Sequence, residues 1–183
     1  MKIIVISYSL TGNNDALATS IAAEFAAEHI KVSEHKSRTM VTIVLDILFN
    51  RTPQVDPIPG EVGDNDLVIF MGPVWMGHVA TPLRAYFKHF QARPGKYAFV
   101  SISGGADGAN PKLAGELTRR LGKEPTALID VHIADLLPPG ARSDRNATMV
   151  YRLNEEDVKN LTDTIVKTLK EAMANQVQKD KHE

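Results

Sequence analysis

The chain has 183 residues, of which 43% are hydrophobic, and its 21 basic and 22 acidic residues give a formal net charge of -1. This length supports one well-buried core, and the balanced charge gives no electrostatic signature of a nucleic-acid or anionic-membrane partner. The sequence contains no cysteine, which excludes disulfides, thiolate metal sites and thiol catalysis, so any redox chemistry requires a bound cofactor.

The N-terminal run MKIIVISYSL is too short to span a bilayer and lacks the charged lead and cleavage site of a signal peptide. We therefore expect a soluble cytoplasmic protein with no membrane span. One domain is predicted over 1–174, followed by a polar tail over 175–183. The expected partners are a small molecule or another protein rather than nucleic acid.

Short apolar runs without clean alternation predict buried parallel strands. These runs begin at Ile3, Leu67, Tyr97 and Leu128, and the run IKVSEH from Ile30 could be the second strand. Between them, apolar residues four apart predict amphipathic helices, with Thr81 and Asn110 as N-caps ahead of prolines and Gly122 as a helix stop. A final helix is predicted to begin at Asn154.

Two segments are harder to interpret. The run TMVTIVLDILFN favours a helix with Val41, Val44, Leu45 and Leu48 facing inward. Prolines and charges between Leu136 and Arg152 predict a long excursion before the last helix.

The alternation of strands and helices predicts an α/β fold, a doubly wound five-stranded parallel sheet with helices on both faces. Ligands of such sheets bind beyond the carboxyl ends of the strands, where the strand order switches. The loops that follow the strands are therefore the candidate site.

The loop after the first strand, SYSLTGNNDALA, is a polar turn that opens directly into a helix. Its backbone N–H groups and hydroxyls suit a terminal phosphate, although an ordinary capped turn has the same composition. The candidate phosphate residues are Ser9, Thr11, Gly12, Asn13 and Asn14. The loop has neither a Walker lysine nor G-x-G-x-x-G spacing, which disfavours an ATPase or a Rossmann dehydrogenase.

This loop resembles the phosphate loop of the flavodoxin family, [ST]-x-T-G-x-T, at Ser9, Thr11 and Gly12, whereas Asn14 departs from the final threonine. The loop after the third apolar run resembles the family's isoalloxazine-contacting loop in a shortened form. Its residues are Gly72, Pro73, Val74, Trp75, Met76 and Gly77. A third, glycine-rich loop resembles another flavin-contacting segment of the family, and its candidate residues are Ser103, Gly104, Gly105, Asp107 and Gly108.

The resemblance covers the chain to about Ile133 and implies FMN as cofactor, with electron transfer to a redox partner protein or a small acceptor. Flavodoxin carriers are strongly acidic, whereas this chain is nearly neutral. Two alternatives therefore stay open, an NAD(P)H-dependent FMN reductase acting on quinones or similar acceptors and a flavodoxin-like domain that has lost its cofactor. The excursion from Leu136 could form one wall of a substrate pocket.

Other polar residues favour simpler interpretations. His78 and Asp107 could exchange a proton near a flavin, but loop residues of this kind are usually solvated. His132 is predicted to be packed within its strand. The six histidines form no close pair, so no metal site is expected.

Overall fold

The structure is a computed structural model that describes residues 1–35, 38–93 and 95–179. The strands in these residues are β1 (Ile3–Tyr8), β2 (Glu28–Glu34), β3 (Val55–Asp56), β4 (Leu67–Met71), β5 (Val74–Trp75), β6 (His78–Val79), β7 (Lys96–Ser103) and β8 (Ala127–His132). The α-helices are α1 (Asn13–Glu24), α2 (Met40–Leu48), α3 (Leu83–Gln91), α4 (Leu113–Leu121), α5 (Ile133–Leu136), α6 (Arg145–Val150) and α7 (Glu155–Lys179).

The main sheet has the strand order β3-β2-β1-β4-β7-β8. The five predicted strands β2, β1, β4, β7 and β8 pair in parallel, which confirms the doubly wound prediction. The predicted count of five was wrong, because β3 adds a sixth strand, antiparallel to β2 at the sheet edge. This strand is two residues long and lies between Pro53 and Pro57, so no apolar run marks it.

Both faces of the sheet are covered by helices. Val68 and Phe70 of β4 face the side that α3 and α4 cover, while Ile69 and Met71 face α1 and α7. This arrangement explains why β4 reads as a continuous apolar run, since every one of its residues is buried. The chain moves from one side of β1 to the other between β2 and β4, so the switch in strand order lies between β1 and β4.

The predicted N-caps of α3 and α4 were wrong, because neither helix has a side-chain cap in the structure. The Thr81 hydroxyl lies 3.4 Å from Asp46 Oδ2, and the Asn110 amide donates to Asp130 Oδ2 at 2.8 Å. Long-range carboxylate partners thus replace the local backbone contacts. Gly122 does end α4, in the left-handed region with φ of 72°.

The helix predicted near Met40 is present as α2, but its predicted inward face was wrong. Val41 and Leu48 are 68% and 71% exposed, and Val44 and Leu45 are also exposed, whereas Ile43 is buried. The physical reason is Asp46, whose carboxylate accepts from Arg38 at 3.0 Å and whose carbonyl accepts from Arg84 at 3.2 Å. These hydrogen bonds orient the side of α2 that carries Ile43 and Asp46 towards the interior of the protein.

The last helix begins as predicted, with Asn154 Oδ1 accepting from the Asp157 N–H at 2.8 Å and the Asp157 carboxylate accepting from the Asn154 N–H at 3.1 Å. Residues 175–179, which were predicted to belong to a polar tail, are helical in α7. The remainder of that predicted tail, 180–183, lies outside the described residues. Among the described helices, none combines the length and apolarity needed to cross a bilayer.

Candidate functional site

A cavity of about 290 Å³ lies at the carboxyl edge of the sheet, where the three predicted loops meet. Its lining includes Thr11, Asn14, Pro73, Val74, Trp75, Met76, Ser103, Gly104, Gly105 and Asp107. A neighbouring cavity of about 310 Å³ shares part of this wall and is also lined by Gly77, Gly108 and Asn110. Ser9, Gly12 and Asn13 line neither cavity.

The first loop is shaped by Ser9 and Gly12. The Ser9 hydroxyl oxygen accepts from the Gly12 N–H at 2.9 Å, and Gly12 has φ of 93° in the left-handed region. The first helical bond of α1 runs from Ala16 to the Gly12 carbonyl at 2.9 Å. Within the described chain, the Thr11 hydroxyl and the N–H groups of Asn13 and Asn14 have no hydrogen-bond partner, and no atom lies within 4 Å of a Cβ built on Gly12. Free donors and open space therefore coincide at the positive end of α1.

The side chains of Asn13 and Asn14 are used by the protein itself. Asn14 donates to the Ile102 carbonyl at 2.8 Å and accepts from the Ile102 N–H at 3.0 Å, which ties α1 to β7. Asn13 donates to the Tyr151 carbonyl at 3.0 Å and accepts from the Leu153 N–H at 3.1 Å. A ligand at this loop would meet the backbone of these residues and not their amides.

The second loop is a β-hairpin formed by β5 and β6. Trp75 pairs with His78 across the two-residue turn of Met76 and Gly77, both in the left-handed region at φ of 52° and 77°. The Trp75 ring meets the Tyr8 ring edge-on, with centroids 5.8 Å apart. The guanidinium carbon of Arg38 lies 5.5 Å from the centroid of the Trp75 ring. The indole is therefore held in place at the cavity wall by contacts with both Tyr8 and Arg38.

The third loop follows β7 and packs closely on its surroundings. Gly105 has φ of 72°, and a Cβ there would lie 2.3 Å from His132 Cβ. A Cβ on Gly104 would lie 3.2 Å from the Thr148 hydroxyl of α6. The Gly104 carbonyl accepts from the Ala134 N–H at 3.0 Å. Glycine at position 105 is therefore required both by backbone conformation and by space.

The excursion after β8 forms part of the cavity of about 290 Å³, whereas none of its residues lines the neighbouring cavity of about 310 Å³. Asp144 caps α6 by accepting from the Asn146 N–H at 2.8 Å, and Arg145, Thr148 and Met149 of this helix line the cavity. Arg145 also donates to Asp107 Oδ1 at 2.7 Å. Both side chains of this pair are more than three-quarters exposed, so it crosses the cavity rim in solvent.

Several lining residues were not predicted from the sequence. They are Leu10, Met40, Ile43, Ile102, Ala106, Ile133, Arg145, Thr148 and Met149. Leu10 and Ala106 lie inside the predicted loops, and the last three lie in the predicted excursion, so segment boundaries would have found them. No sequence signal brings Met40 and Ile43 of α2 to this edge.

A cluster of charged side chains around the buried Glu116 contacts the hairpin formed by β5 and β6. Glu116 of α4 accepts from the Val79 N–H at 2.9 Å and from Arg120 Nε at 2.7 Å, and its Oε1 lies 3.4 Å from His78 Nδ1. Burial acts to raise the pKa of Glu116, but these hydrogen bonds and charges outweigh it, so the pKa lies below its usual value. Burial also lowers the pKa of the nearby Arg84 to about 10.

A second ionic cluster lies under Trp75. Arg38 binds both carboxylate oxygens of Glu34, and Tyr8 donates to Glu34 Oε2 at 2.9 Å. Burial and the Glu34 charge raise the pKa of Tyr8, which keeps its hydroxyl a hydrogen-bond donor. The cluster therefore fixes Tyr8 and Arg38, the two residues that contact the indole.

The histidines of the described residues lie outside the lining of both cavities. His78 contacts Glu116 behind the hairpin, and His132 Nε2 lies 3.1 Å from Asp130 Oδ2, as expected for a packed histidine. Across the described residues, no group of three or more metal-ligating side chains is present. A larger cavity of about 540 Å³ lies between α1 and the start of α7 and shares no lining residue with the cavity of about 290 Å³.

Comparison with known proteins identifies the architecture. A crystal structure of a flavoprotein in complex with FMN from Lactobacillus acidophilus NCFM is 22% identical, with a TM-score of 0.59, and the alignment covers 70% of this chain and 92% of that one. A candidate flavoprotein from Bacteroides eggerthii DSM 20697 is 14% identical with a TM-score of 0.61, covering 90% and 97% of the two chains. A flavodoxin from the domain Archaea is 14% identical with a TM-score of 0.51, covering 94% and 99%.

The chain has a flavodoxin-like fold. No protein-family model matches the sequence, and no curated protein matches it either. The relationship therefore rests on the fold alone.

Proposed function

We propose that this flavodoxin-like protein binds FMN in the cavity of about 290 Å³ and acts as an electron-transfer protein. The observation that carries the proposal is the convergence of three loops, from β1, β4 and β7, on one cavity at the switch in strand order. A similar fold binds FMN in the Lactobacillus acidophilus flavoprotein.

The residues present fit the parts of FMN. The Thr11 hydroxyl and the free Asn14 N–H at the cavity wall, together with the free Asn13 N–H next to the open space at Gly12, would bind the phosphate. The α1 dipole would balance part of the phosphate charge, because the loop contains no lysine or arginine. Trp75 and Met76 offer an apolar wall for the ring, and the backbone of Gly104 and Gly105 offers polar groups for its edge. Bound FMN would supply hydride or single-electron transfer.

The protein itself would hold and shield the cofactor. Tyr8 and Arg38 fix the indole of Trp75, so little rotamer freedom remains to be lost when a ring binds beside it. Asn14 fixes the start of α1 to β7 and thereby keeps the first and third loops at a constant separation. The site is preorganised by the fold.

A second function is favoured by the neighbouring cavity of about 310 Å³, which adjoins the proposed flavin site at Met76 and Gly105. A pocket of this size beside a flavin could admit a small acceptor, as an NAD(P)H-dependent reductase of quinones or similar molecules requires. The near-neutral charge of the chain agrees better with a small acceptor than with charge-guided docking.

The visible absorption spectrum of the purified protein, recorded after FMN addition and removal of excess, tests the binding proposal. We expect retained flavin absorbance. Direct bleaching by NADH or NADPH without oxygen would identify a reductase, whereas bleaching only with a separate reductase would identify a carrier. A protein that retains no FMN would contradict both and indicate a flavodoxin-like domain that has lost its cofactor.

A further inference from the structure

Helix α2 carries an exposed apolar face that the fold leaves uncovered. We call this surface the α2 face. Its members are Met40, Val41, Val44, Leu45, Leu48 and Phe49, which are between 37% and 71% exposed. The only charged residue of the helix, Asp46, is turned inward to Arg38. An uncharged face of this kind on a nine-residue helix marks an interaction surface.

The spacing of the α2 face suits another helix. Val41, Leu45 and Leu48 follow at intervals of four and three residues, which places them in one stripe along the helix axis. The six side chains expose on the order of 600 Å², compared with ~800 Å² per partner in a stable interface of standard size. Met76, which is 67% exposed, lines the same cavity as Met40.

We infer that the α2 face packs against the α2 face of a second copy of this chain in a two-fold symmetric dimer. An uncharged stripe is complementary to itself, and a two-fold axis brings the same patch of each copy together. A charge-guided protein partner would find no outward charge on α2. A membrane-surface helix would need basic residues along its polar margin, whereas α2 itself has none and Arg51, whose guanidinium carbon lies 5.0 Å from the Phe49 ring centroid, contacts the face at its C-terminal end.

The dimer would also affect the cavity. Met40 belongs to the α2 face and lines the cavity of about 290 Å³, so the second copy would cover one side of the cavity mouth. Solvent access to that side would fall on association. The inference itself needs no bound flavin, because it depends only on the exposed residues of α2.

Molar mass in solution tests the inference. Light scattering during gel filtration, from low to high micromolar protein, is expected to approach twice the chain mass of 20.1 kDa. Val41→Glu and Leu48→Glu place a charge at either end of the stripe and should weaken association roughly a hundredfold, a hot-spot-sized effect. Circular dichroism would verify that each variant remains folded.

Val150→Glu is the matched control, because Val150 has the same residue type and the same 68% exposure as Val41 but lies on α6. This variant should keep the dimer mass. A wild-type chain that is monomeric at every concentration would overturn the inference, as would a Val41→Glu variant that still forms the dimer. A monomer that sediments with neutral phosphatidylcholine vesicles would also overturn it and identify a lipid surface as the occupant of the α2 face.

Discussion

At the N-terminus of α1, some polar side chains are hydrogen-bonded within the protein and others are available to bind a ligand. The Asn13 and Asn14 amides are bonded to Tyr151, Leu153 and Ile102, whereas the Thr11 hydroxyl lines the cavity with no partner in the described chain. Thr11 is therefore the residue whose side chain can report on phosphate binding. Substitution of Asn13 or Asn14 would instead test how much their hydrogen bonds stabilise the loop.

Replacement of Thr11 by valine removes the hydroxyl and keeps the shape of the side chain. We expect FMN affinity to fall about tenfold or more, since a hydrogen bond to a charged group is worth roughly 1.5–3 kcal/mol. Riboflavin has the same ring without the phosphate, so its affinity should not change. Fluorescence titration with both flavins measures the difference. Equal losses for both flavins, or no loss for either, would contradict a phosphate role for Thr11.

Trp75 is expected to tune the reduction potential of bound flavin. Its indole, fixed by Tyr8 and Arg38, would lie on the ring, and the negative face of the indole disfavours added negative charge on the flavin. Trp75→Ala should therefore raise the potential by roughly 10–30 mV, the two-electron equivalent of ~0.5–1.5 kcal/mol. Trp75→Phe should restore part of the shift. Potentiometric titration of an alanine variant that binds FMN but keeps the wild-type potential would exclude this role.

The third loop and β8 are joined by a contact that leaves no room for a side chain. At Gly105, φ of 72° and the 2.3 Å approach to His132 Cβ act together against any larger residue. We expect Gly105→Ala to lower the free energy of unfolding by about 2–3 kcal/mol, from backbone strain and overpacking. Urea denaturation measures this change.

Gly115→Ala is the matched control for that experiment. Gly115 lies in α4 with no atom within 4 Å of a built Cβ, so alanine should stabilise the helix by about 0.5–1 kcal/mol. The two substitutions add the same methyl group and should act in opposite directions. A Gly105→Ala variant as stable as the wild type would show that the loop can move away from His132.

The stability of the whole molecule should depend on pH through Glu116. This carboxylate joins α4 to the hairpin through Val79 and to the charges of Arg84 and Arg120. Since folding lowers its pKa, its contribution is present above the usual value near 4.5 and is lost as the pH falls through the lower folded value. Acid should therefore loosen the hairpin that carries Trp75.

Glu116→Gln tests this dependence. The variant leaves two arginines without their buried counter-charge, and we expect it to be about 3 kcal/mol less stable near pH 7. Its loss of stability as the pH falls from about 5 to about 3 should be smaller than that of the wild type. Urea denaturation across this range is the measurement, with the exposed Glu171→Gln as control. A variant with the wild-type pH profile would remove Glu116 as the titrating group.

Sequence reasoning was most successful where local physics sets the outcome. The strands near Ile3, Leu67 and Tyr97 could be predicted because burial on both faces requires a continuous apolar run. The predicted inward face of α2 was wrong, because Val41 and Leu48 satisfy the same helical period whether they face the core or the outside of the molecule. The roles of Asn13 and Asn14 were also hidden, since their partners lie 138 and 88 residues away.

Apolar periodicity and turn residues in this chain were enough to establish the α/β class, the five long strands and the three loops that meet at one sheet edge, because these depend on neighbours in sequence. The short sixth strand, the side on which α2 packs and the joining of α6 to the cavity depend on three long-range hydrogen bonds. These bonds join Ser33 to Asp56, Asp46 to Arg84 and Asp107 to Arg145. Such pairings form only when distant segments come together. Their partners cannot be read from a linear pattern, and only the tertiary structure reveals them.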